Sequence, residues 1–199
     1  MKVIIYDPNN YRAVEIVENV KNCEVKEHGN GQRDIKIDED RLTIGHTIFK
    51  CLEVDDNYLI QAGDIVDYNL LLERAKQEKI KELDLKCEAT ILEGFMIPED
   101  HEDPALAGNF YSFDLYDQLN FNLQVTYIDV VTPTEPIYWK TENKGILPHT
   151  IQQFMEVCKH AERHKRGNIE KYWALKEQVM NCQTIEEVEA ITWEESGEG

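Results

Sequence analysis

The sequence contains no apolar run that approaches the roughly 18 residues of a membrane-spanning helix. Its first residues, MKVIIYDPNNYR, hold a four-residue apolar run that ends at Asp7 and Pro8. That run is shorter than the apolar segment of a signal peptide. We therefore expect no membrane insertion and no export by the usual secretory route.

Cysteine pairs at metal-binding or redox spacing are also missing. The five cysteines are scattered along the chain, and no two of them form a Cys-x-x-Cys pair. A zinc ribbon and a thioredoxin-type site both need such pairs, so the sequence excludes both kinds of site. We expect reduced, mostly buried thiols, as in a protein made in the cytoplasm.

Basic residues are scarce relative to acidic ones. The chain has 21 Lys and Arg against 39 Asp and Glu, which gives a net charge of −18 and a pI near 4.7. Phosphate groups would be repelled by such a surface, so we expect no nucleic-acid partner. An acidic surface instead favours solubility and suits contact with basic partners.

The first third of the chain has the pattern of short strands. Apolar residues alternate with polar ones between turn residues, which is the period of a half-buried strand. Gly29-Asn30-Gly31 lies between two such runs and predicts a hairpin, because glycine and asparagine accept positive φ. The predicted strands are Lys2–Tyr6, Ala13–Val17, Cys23–Val25, Leu42–Ile44, Thr47–Val54 and Tyr58–Ala62, with a further run, RDIKI, after the hairpin turn.

The pattern changes to a helical period at Asp67. Asp67 can cap a helix that runs to Gly94, with Pro98 shortly beyond it. The sequence therefore predicts an α+β protein, with a small antiparallel β domain over residues 1–66 and a mainly helical module over residues 67–199. The helix either packs against its own domain or associates with other copies in a two- or three-stranded bundle. Lys76 and Lys79 fall where a coiled-coil seam needs apolar side chains.

The middle of the module mixes aromatic and polar residues. The segment Phe110–Phe121 is ambiguous between helix and strand, and the module is expected to contain a short aromatic strand region. Tyr127–Val131 and Ile137–Trp139 predict short strands, separated by a turn at Pro133–Pro136.

The last quarter of the chain predicts helices. A helix is expected to begin near Pro148, with an apolar face that includes Phe154, and to break or kink at Gly167-Asn168. Thr184 to Glu187 has the pattern of a capping box that opens a short final helix. The tail from Glu194 is expected to be loose.

Two acidic segments could hold a hard cation. Asp38–Asp40 lacks the alternating spacing of a calcium loop, so we expect a solvated turn. Glu99–Asp103 clusters four carboxylates around His101, and such oxygens could bind calcium or magnesium. Loops of this composition are usually only solvated, and solvation is the default interpretation.

The histidines give weak metal signals. His160 and His164 are four residues apart on a predicted helix, a spacing that can bind zinc. Their segment, HAERH, matches neither of the known zinc-peptidase helix patterns, and no third ligand lies nearby in sequence. His28 and His46 are expected at the surface or at a sheet edge. We therefore predict no metal, no cofactor and no catalytic residue, and we interpret the chain as a non-enzyme.

The second half of the chain carries segments that recur together in a known family. In order these are KIKELDLKCEATILEGF, YSFDLYDQLNF, IYWK, PHTIQQFMEVCKHAERHKR and YWALKEQVMNCQTIEEVEAITW. Their order resembles an uncharacterised domain near the C-terminal end of bacteriophage tail-associated and tail-fibre proteins. The matching positions are Gly94, Phe95, Asp114, Asp117, Gln118, Asn120, Tyr138, Trp139, Phe154 and Val188–Ile191.

The resemblance covers about Leu72–Trp193, and the acidic segment Glu99–Asp103 departs from it. It implies a structural component of a phage or phage-like contractile particle, in the tail, the baseplate or a tail-fibre attachment. The implied partners are other tail, baseplate or fibre proteins, with a possible homo-oligomer. The implied location is the virion tail, and the host cytoplasm during assembly. The family carries no established catalytic residues, so it implies none here.

Two surfaces are the candidates for such contacts: the helix Asp67–Gly94 and the aromatic segment Phe110–Phe121. The predicted interface residues are Leu72, Ile80, Leu83, Phe110, Tyr111, Phe113, Tyr116 and Phe121. One alternative is a tail-fibre assembly chaperone that is not retained in the virion. The other is a metal-dependent hydrolase that uses Asp114, Asp117 and the acidic loop Glu99–Asp103. Asp114 and Asp117 would share a face only on a helix.

Overall fold

The computed structural model describes residues 1–39, 41–131, 134 and 136–194. The chain forms two compact units, residues 1–75 and residues 76–199. Antiparallel strands dominate the first unit and helices dominate the second, so the α+β prediction is confirmed. We call the two units the N-terminal unit and the C-terminal module.

The N-terminal unit contains two three-stranded antiparallel sheets. One has the order β2-β1-β6 and the other the order β3-β4-β5. The strands are β1 (Lys2–Tyr6), β2 (Ala13–Val17), β3 (Cys23–Glu27), β4 (Arg33–Ile37), β5 (Leu42–Thr47) and β6 (Lys50–Val54). All five residues of β1 are buried, because this apolar strand pairs on both sides. Val3 and Ile5 pack against Ile35 and Ile37 in the core of the unit.

The strand predictions are largely confirmed in this unit, with two corrections. Thr47–Val54 is not one strand, because β5 ends at Thr47 and β6 begins at Lys50. Tyr58–Ala62, all of which is described, has no strand. Aspartate side chains bind the backbone there instead: the N–H of Asn57 donates to Asp55 and that of Gln61 to Asp64, at 2.9 and 2.8 Å. Such local bonds fix a loop and compete with a sheet ladder.

The helix α1 spans Tyr68–Glu93, as predicted, and crosses from the first unit into the second. The Asp67 carboxylate accepts the N–H of Asn69 at 2.9 Å, which satisfies one free donor of the first turn. Gly94 follows the helix with φ of +100°, and a Cβ at this position would collide with the carbonyl oxygen of Tyr111. Glycine is therefore required there by both conformation and space.

The C-terminal module adds two strand pairs and three helices to the end of α1. They are β7 (Phe95–Met96), β8 (Phe110–Tyr111), α2 (Leu115–Val131), β9 (Ile137–Thr141), β10 (Gly145–His149), α3 (Ile151–Asn181) and α4 (Ile185–Ala190). β7 pairs with β8, and β9 with β10, both antiparallel. The core is rich in aromatic rings, which include Phe95, Tyr111, Phe121 and Phe154. Neighbouring rings are in contact; the centroids of Phe121 and Phe154, for example, are 5.7 Å apart.

The module departs from the sequence predictions at four places. Tyr127–Val131 is not a strand, because α2 continues through it and buries Ile128 seven residues after Phe121. The strands β7 and β10 were not predicted. The expected break at Gly167-Asn168 is absent from α3, where the Asn168 side chain donates to the carbonyl of His164 at 2.8 Å.

The predictions for the final helix, two turns and the tail have mixed outcomes. The capping box is confirmed, because Thr184 and Glu187 exchange side-chain and backbone hydrogen bonds at the start of α4. The predicted turn Pro133–Pro136 and the acidic turn Asp38–Asp40 lie partly outside the described residues, and the tail lies outside them from residue 195. Within the described part of the chain, no helix is long and apolar enough to cross a membrane.

Candidate functional site

The predicted interface residues do not form a surface, and this prediction needs correction. Five of the eight are buried: Leu72, Leu83, Tyr111, Phe113 and Phe121. The last three lie in the aromatic core of the C-terminal module, where their large apolar area is removed from water. Ile80 and Phe110 are half-buried, and Tyr116, at 78% exposed, is the one fully exposed member.

The helix α2 exposes a different apolar face, which we call the α2 face. Seven large apolar side chains on it are each at least half exposed: Leu115, Tyr116, Leu119, Leu123, Tyr127, Val130 and Val131. At about 100° per residue they occupy one arc of about 160° on the helix. The buried residues Phe121 and Ile128 lie on the opposite side. The helix is therefore apolar on both sides, with one side in the core and one facing outward.

The α2 face has the spacing of a helix-packing seam. Tyr116, Leu123 and Val130 recur every seven residues, and Leu119 lies three residues after Tyr116. This is the a and d pattern of helices that pack side by side. The same spacing was visible in the sequence, but the strand interpretation of Tyr127–Val131 concealed it.

The α2 face carries no charge, in contrast to the rest of the chain. The helix contains no Lys or Arg and only two acidic residues, Asp117 and Asp129. The polar residues within the arc are Asn120 and Thr126, which are neutral. The charged residues that give the chain its net charge of −18 therefore lie outside this face.

A groove of about 530 Å³ lies beside the α2 face, between α2 and β9. Its lining includes the aromatic side chains of Tyr127, Tyr138 and Trp139 and several polar side chains. Lys140 and Glu142 form an ion pair at 2.8 Å in this lining, so their charges offset each other. The groove suits a mostly neutral partner segment that offers hydrogen bonds and apolar contact.

Asp114 and Asp117, the pair of the hydrolase hypothesis, cap α2. The N–H of Asp117 donates to Asp114 at 2.8 Å, and the N–H of Asp114 donates to Asp117 at 3.2 Å. The Ser112 hydroxyl also donates to Asp117. This reciprocal arrangement is a capping box with Asp at both positions. Both carboxylates are therefore engaged in starting the helix, and the geometry gives no support to a paired catalytic role.

A cluster of three potential metal ligands lies between the loop after β7 and α3. A ring nitrogen of His101, a carboxylate oxygen of Glu156 and a ring nitrogen of His160 all lie within 4.8 Å of one another. The rings of His101 and His160 meet edge to face, with centroids 5.4 Å apart. Burial is the main cause that lowers the pKa of His160, with Arg163 also contributing. His160 is therefore held in its neutral form, which is the form that can bind a metal.

The zinc pairing that the spacing of His160 and His164 would allow is not formed, because His164 faces another neighbour. Its Nε2 lies 3.2 Å from the carbonyl oxygen of Thr90 and 3.3 Å from that of Ile91, at the end of α1. His160 Nε2 instead lies 3.9 Å from Oε1 of Glu156, one turn earlier on α3. Sequence reasoning had named His160 and the His101 loop separately, but no spacing rule connects residues so far apart in the chain.

A second cluster joins His28, Asp34 and His46 in the N-terminal unit. The Asp34 carboxylate lies 2.9 Å from His28 Nε2 and accepts the backbone N–H of His46 at 2.8 Å. The two rings stack with centroids 5.0 Å apart. The His46 side chain is 76% exposed, so this cluster lies at the surface, as predicted for both histidines.

The core of the module contains a chain of polar side chains. The Tyr111 hydroxyl lies 2.8 Å from His149 Nε2, and His149 Nδ1 lies 3.0 Å from the carbonyl of Leu147. The Nδ1 proton must therefore point to that carbonyl, which leaves Nε2 to accept the hydroxyl proton of Tyr111. Asn109 in turn donates to the Tyr111 oxygen at 3.2 Å. Burial lowers the pKa of His149 and raises that of Tyr111, so both are neutral near pH 7.

Comparison with known proteins places most of this module in one family. Residues 74–192, more than half of the chain, match the family described as Domain of unknown function (DUF4376), and the chain belongs to that family. No curated protein and no solved structure matches the chain.

Proposed function

We propose that the chain is a structural protein of a bacteriophage or phage-like contractile tail, and that copies of it associate through the α2 face. The observation that carries the proposal is the exposed, uncharged apolar arc of α2. Apolar side chains on the surface of a monomer usually lie singly, whereas these seven are grouped on one face of one helix. Such patches mark sites of protein association.

A second copy of the chain is the occupant that the α2 face fits best. The heptad spacing of Tyr116, Leu119 and Leu123 allows two or more α2 helices to pack along the same seam. Any larger overlap between copies would bring acidic surfaces together, because each copy carries a net charge of −18. The α2 face avoids this repulsion, since it has no charged residue within the arc.

The helix α2 has 17 residues, and a helix of this length owes most of its stability to packing within the folded module. Phe121 and Ile128 anchor the opposite side of the helix in the core. The seam is therefore preorganised, which lowers the entropy cost of association. A homo-oligomer about the α2 face is consistent with the symmetry that structural assemblies use.

The placement in a tail rests on the resemblance of Leu72–Trp193 to the domain of tail-associated and tail-fibre proteins. Within that proposal, the partners are other tail, baseplate or fibre proteins, and the groove beside the α2 face is open to one of them. The protein would be located in the virion tail, and in the host cytoplasm during assembly.

The association is tested by sedimentation of the purified full chain over a range of concentrations. We expect an oligomer in the wild type and a monomer in Leu123→Glu, because a buried unpaired carboxylate costs several kcal/mol, or more than about 100-fold in the dissociation constant. Leu85→Glu is the matched control: Leu85 is a helical leucine of similar exposure, 57% against 60%, but lies on α1. A wild type that stays monomeric at high concentration would overturn the role of the α2 face.

The placement in a tail is tested separately by mass spectrometry of purified particles from the phage or prophage that encodes the chain. Detection at a stoichiometric copy number is the expected result. Absence from particles, together with recovery on immature fibres, would favour the alternative of an assembly chaperone.

A further inference from the structure

The cluster of His101, Glu156 and His160 has the composition of a transition-metal site. Two imidazoles and one carboxylate suit Zn²⁺, whereas Ca²⁺ and Mg²⁺ favour sites built from oxygen ligands. The three ligand atoms already lie within 4.8 Å of one another. All three residues belong to the C-terminal module, so the site needs no other part of the chain.

The Nε2 atom of His160 is the strongest sign that a ligand is bound here. This atom is buried, and it has no hydrogen-bond partner among the described residues. Glu156 Oε1 lies 3.9 Å away, which is too long for a hydrogen bond. Ligand atoms of a tetrahedral zinc ion are about 3.4 Å apart when the bonds are about 2.0–2.1 Å long. A small rotation of the two side chains would therefore admit the ion and give the buried nitrogen its partner.

The surrounding residues hold the three ligands in place. Glu156 and His160 are four residues apart on α3, which puts them on the same face of the helix. The Gln153 side chain, one turn earlier, donates to Asp103 at 2.9 Å and fixes the His101 loop against α3. His101 Nδ1 accepts the backbone N–H of Asp103 at 3.1 Å and lies 3.4 Å from the carbonyl of the same residue, which fixes the orientation of the ring.

The second oxygen of Glu156 is also positioned. Lys159 Nζ lies 2.6 Å from Glu156 Oε2, and Oε1 is the oxygen directed at His160. In known metal sites, residues that hydrogen-bond to a metal ligand in this way orient that ligand. The second cluster of the chain differs on this point, because the Asp34 carboxylate already bonds to the His28 ring and accepts the backbone N–H of His46.

We propose that His101, Glu156 and His160 bind one Zn²⁺ ion, which joins the loop after β7 to α3. Three protein ligands leave a fourth tetrahedral position for water. The ion acts as a cross-link within the C-terminal module, and the site is independent of the α2 face.

The test is a zinc titration of the full chain after removal of metal with a chelator. Competition with a chromophoric zinc chelator gives the stoichiometry and the affinity. We expect one tight equivalent in the wild type and in His46→Ala, which removes an exposed ligand of the other cluster. We expect His160→Ala and His101→Ala each to raise the Kd for this zinc ion by at least about 100-fold. Loss of a residue that only hydrogen-bonds to a metal ligand usually costs about 10–100-fold.

Two further measurements keep the result interpretable. Zn²⁺ at about a hundredfold excess over its Kd should raise the wild-type Tm by about 5–10 °C and leave that of His101→Ala unchanged. Co²⁺ in place of Zn²⁺ should give the visible absorption of a four-coordinate site. Circular dichroism checks that each variant is folded, and His101→Ala changes only a partly exposed loop residue. The proposal is overturned if the wild type binds no zinc, or if the equivalent is lost in His46→Ala and retained in His101→Ala.

Discussion

The N-terminal unit and the C-terminal module expose their apolar side chains in different ways. In the N-terminal unit the exposed large apolar residues are Val14, Val25, Ile48, Leu59 and Ile65, which lie singly on different strands and loops. In the C-terminal module seven of the thirteen such residues among the described positions lie on one face of a single helix, and the other six lie on other elements. Scattered exposure is normal for a folded protein, whereas a contiguous face indicates an interaction surface.

The difference follows from how each unit uses its apolar residues. The N-terminal unit buries β1 on both sides and exposes the polar residues of the edge strands. The helix α2 has apolar residues on two opposite faces, and one helix can turn only one face to its own core. The α2 face is therefore a property of this helix and does not reflect a generally apolar surface.

The largest effect is expected from Phe154→Ala in the core of the C-terminal module. Phe154 is fully buried, and its ring lies 4.9 Å from that of Trp139. Truncation should lower the free energy of unfolding by about 3–5 kcal/mol. The three tryptophans, Trp139, Trp173 and Trp193, all lie in the module, so fluorescence during urea unfolding reports on this unit.

Tyr138→Ala is the control for Phe154→Ala. It removes an aromatic ring from the same module at a position that is 67% exposed. Its effect should be within about 0.5 kcal/mol, as is usual at the surface. Similar losses in both variants would contradict the assignment of the core.

A second effect concerns pH and the buried His149. Burial lowers its pKa from the ordinary 6.5, so below this pH the unfolded chain binds a proton that the folded chain excludes. The free energy of unfolding should therefore be constant above about pH 7 and should fall as the pH is lowered through 6.5. Chemical unfolding between pH 7.5 and 5 measures this slope.

The His149→Gln variant isolates this contribution. His160 also has a pKa lowered by burial and adds a slope of the same sign, so the two proteins have to be compared in the presence of a chelator. We expect a smaller slope in the variant, since glutamine does not titrate. An unchanged slope would show that His149 is not the group that titrates.

Local patterns predicted much of the fold. The apolar run of β1, the cap at Asp67 and the capping box of Thr184 and Glu187 all lie in the structure where the sequence placed them. Each depends on neighbours within a few residues, which a sequence displays directly. Tyr127–Val131 was misassigned because its β-branched residues favour a strand, while burial of Ile128 at a helical spacing decides for α2.

The candidate sites were harder to predict, because they depend on contacts that are distant in sequence. The aromatic segment Phe110–Phe121 was correctly seen as unusual, but Tyr111, Phe113 and Phe121 turn inward and only Tyr116 turns outward. Composition alone does not assign a side to each ring. The cluster of His101 and His160 joins two segments about sixty residues apart through the fold of the module.

The smallest effect is expected from Leu59→Ser, which tests the N-terminal side of the comparison. Leu59 is 94% exposed and lies in a loop that aspartate side chains fix from both ends, so its own side chain contributes little burial. The free energy of unfolding should change by less than about 0.5 kcal/mol. Sedimentation should also be unchanged, in contrast to Leu123→Glu on the α2 face. If Leu59→Ser altered the association state, the singly exposed apolar residues of the N-terminal unit would also have to be counted as part of an interface. The contrast between scattered exposure in that unit and a contiguous apolar face on α2 would then fail.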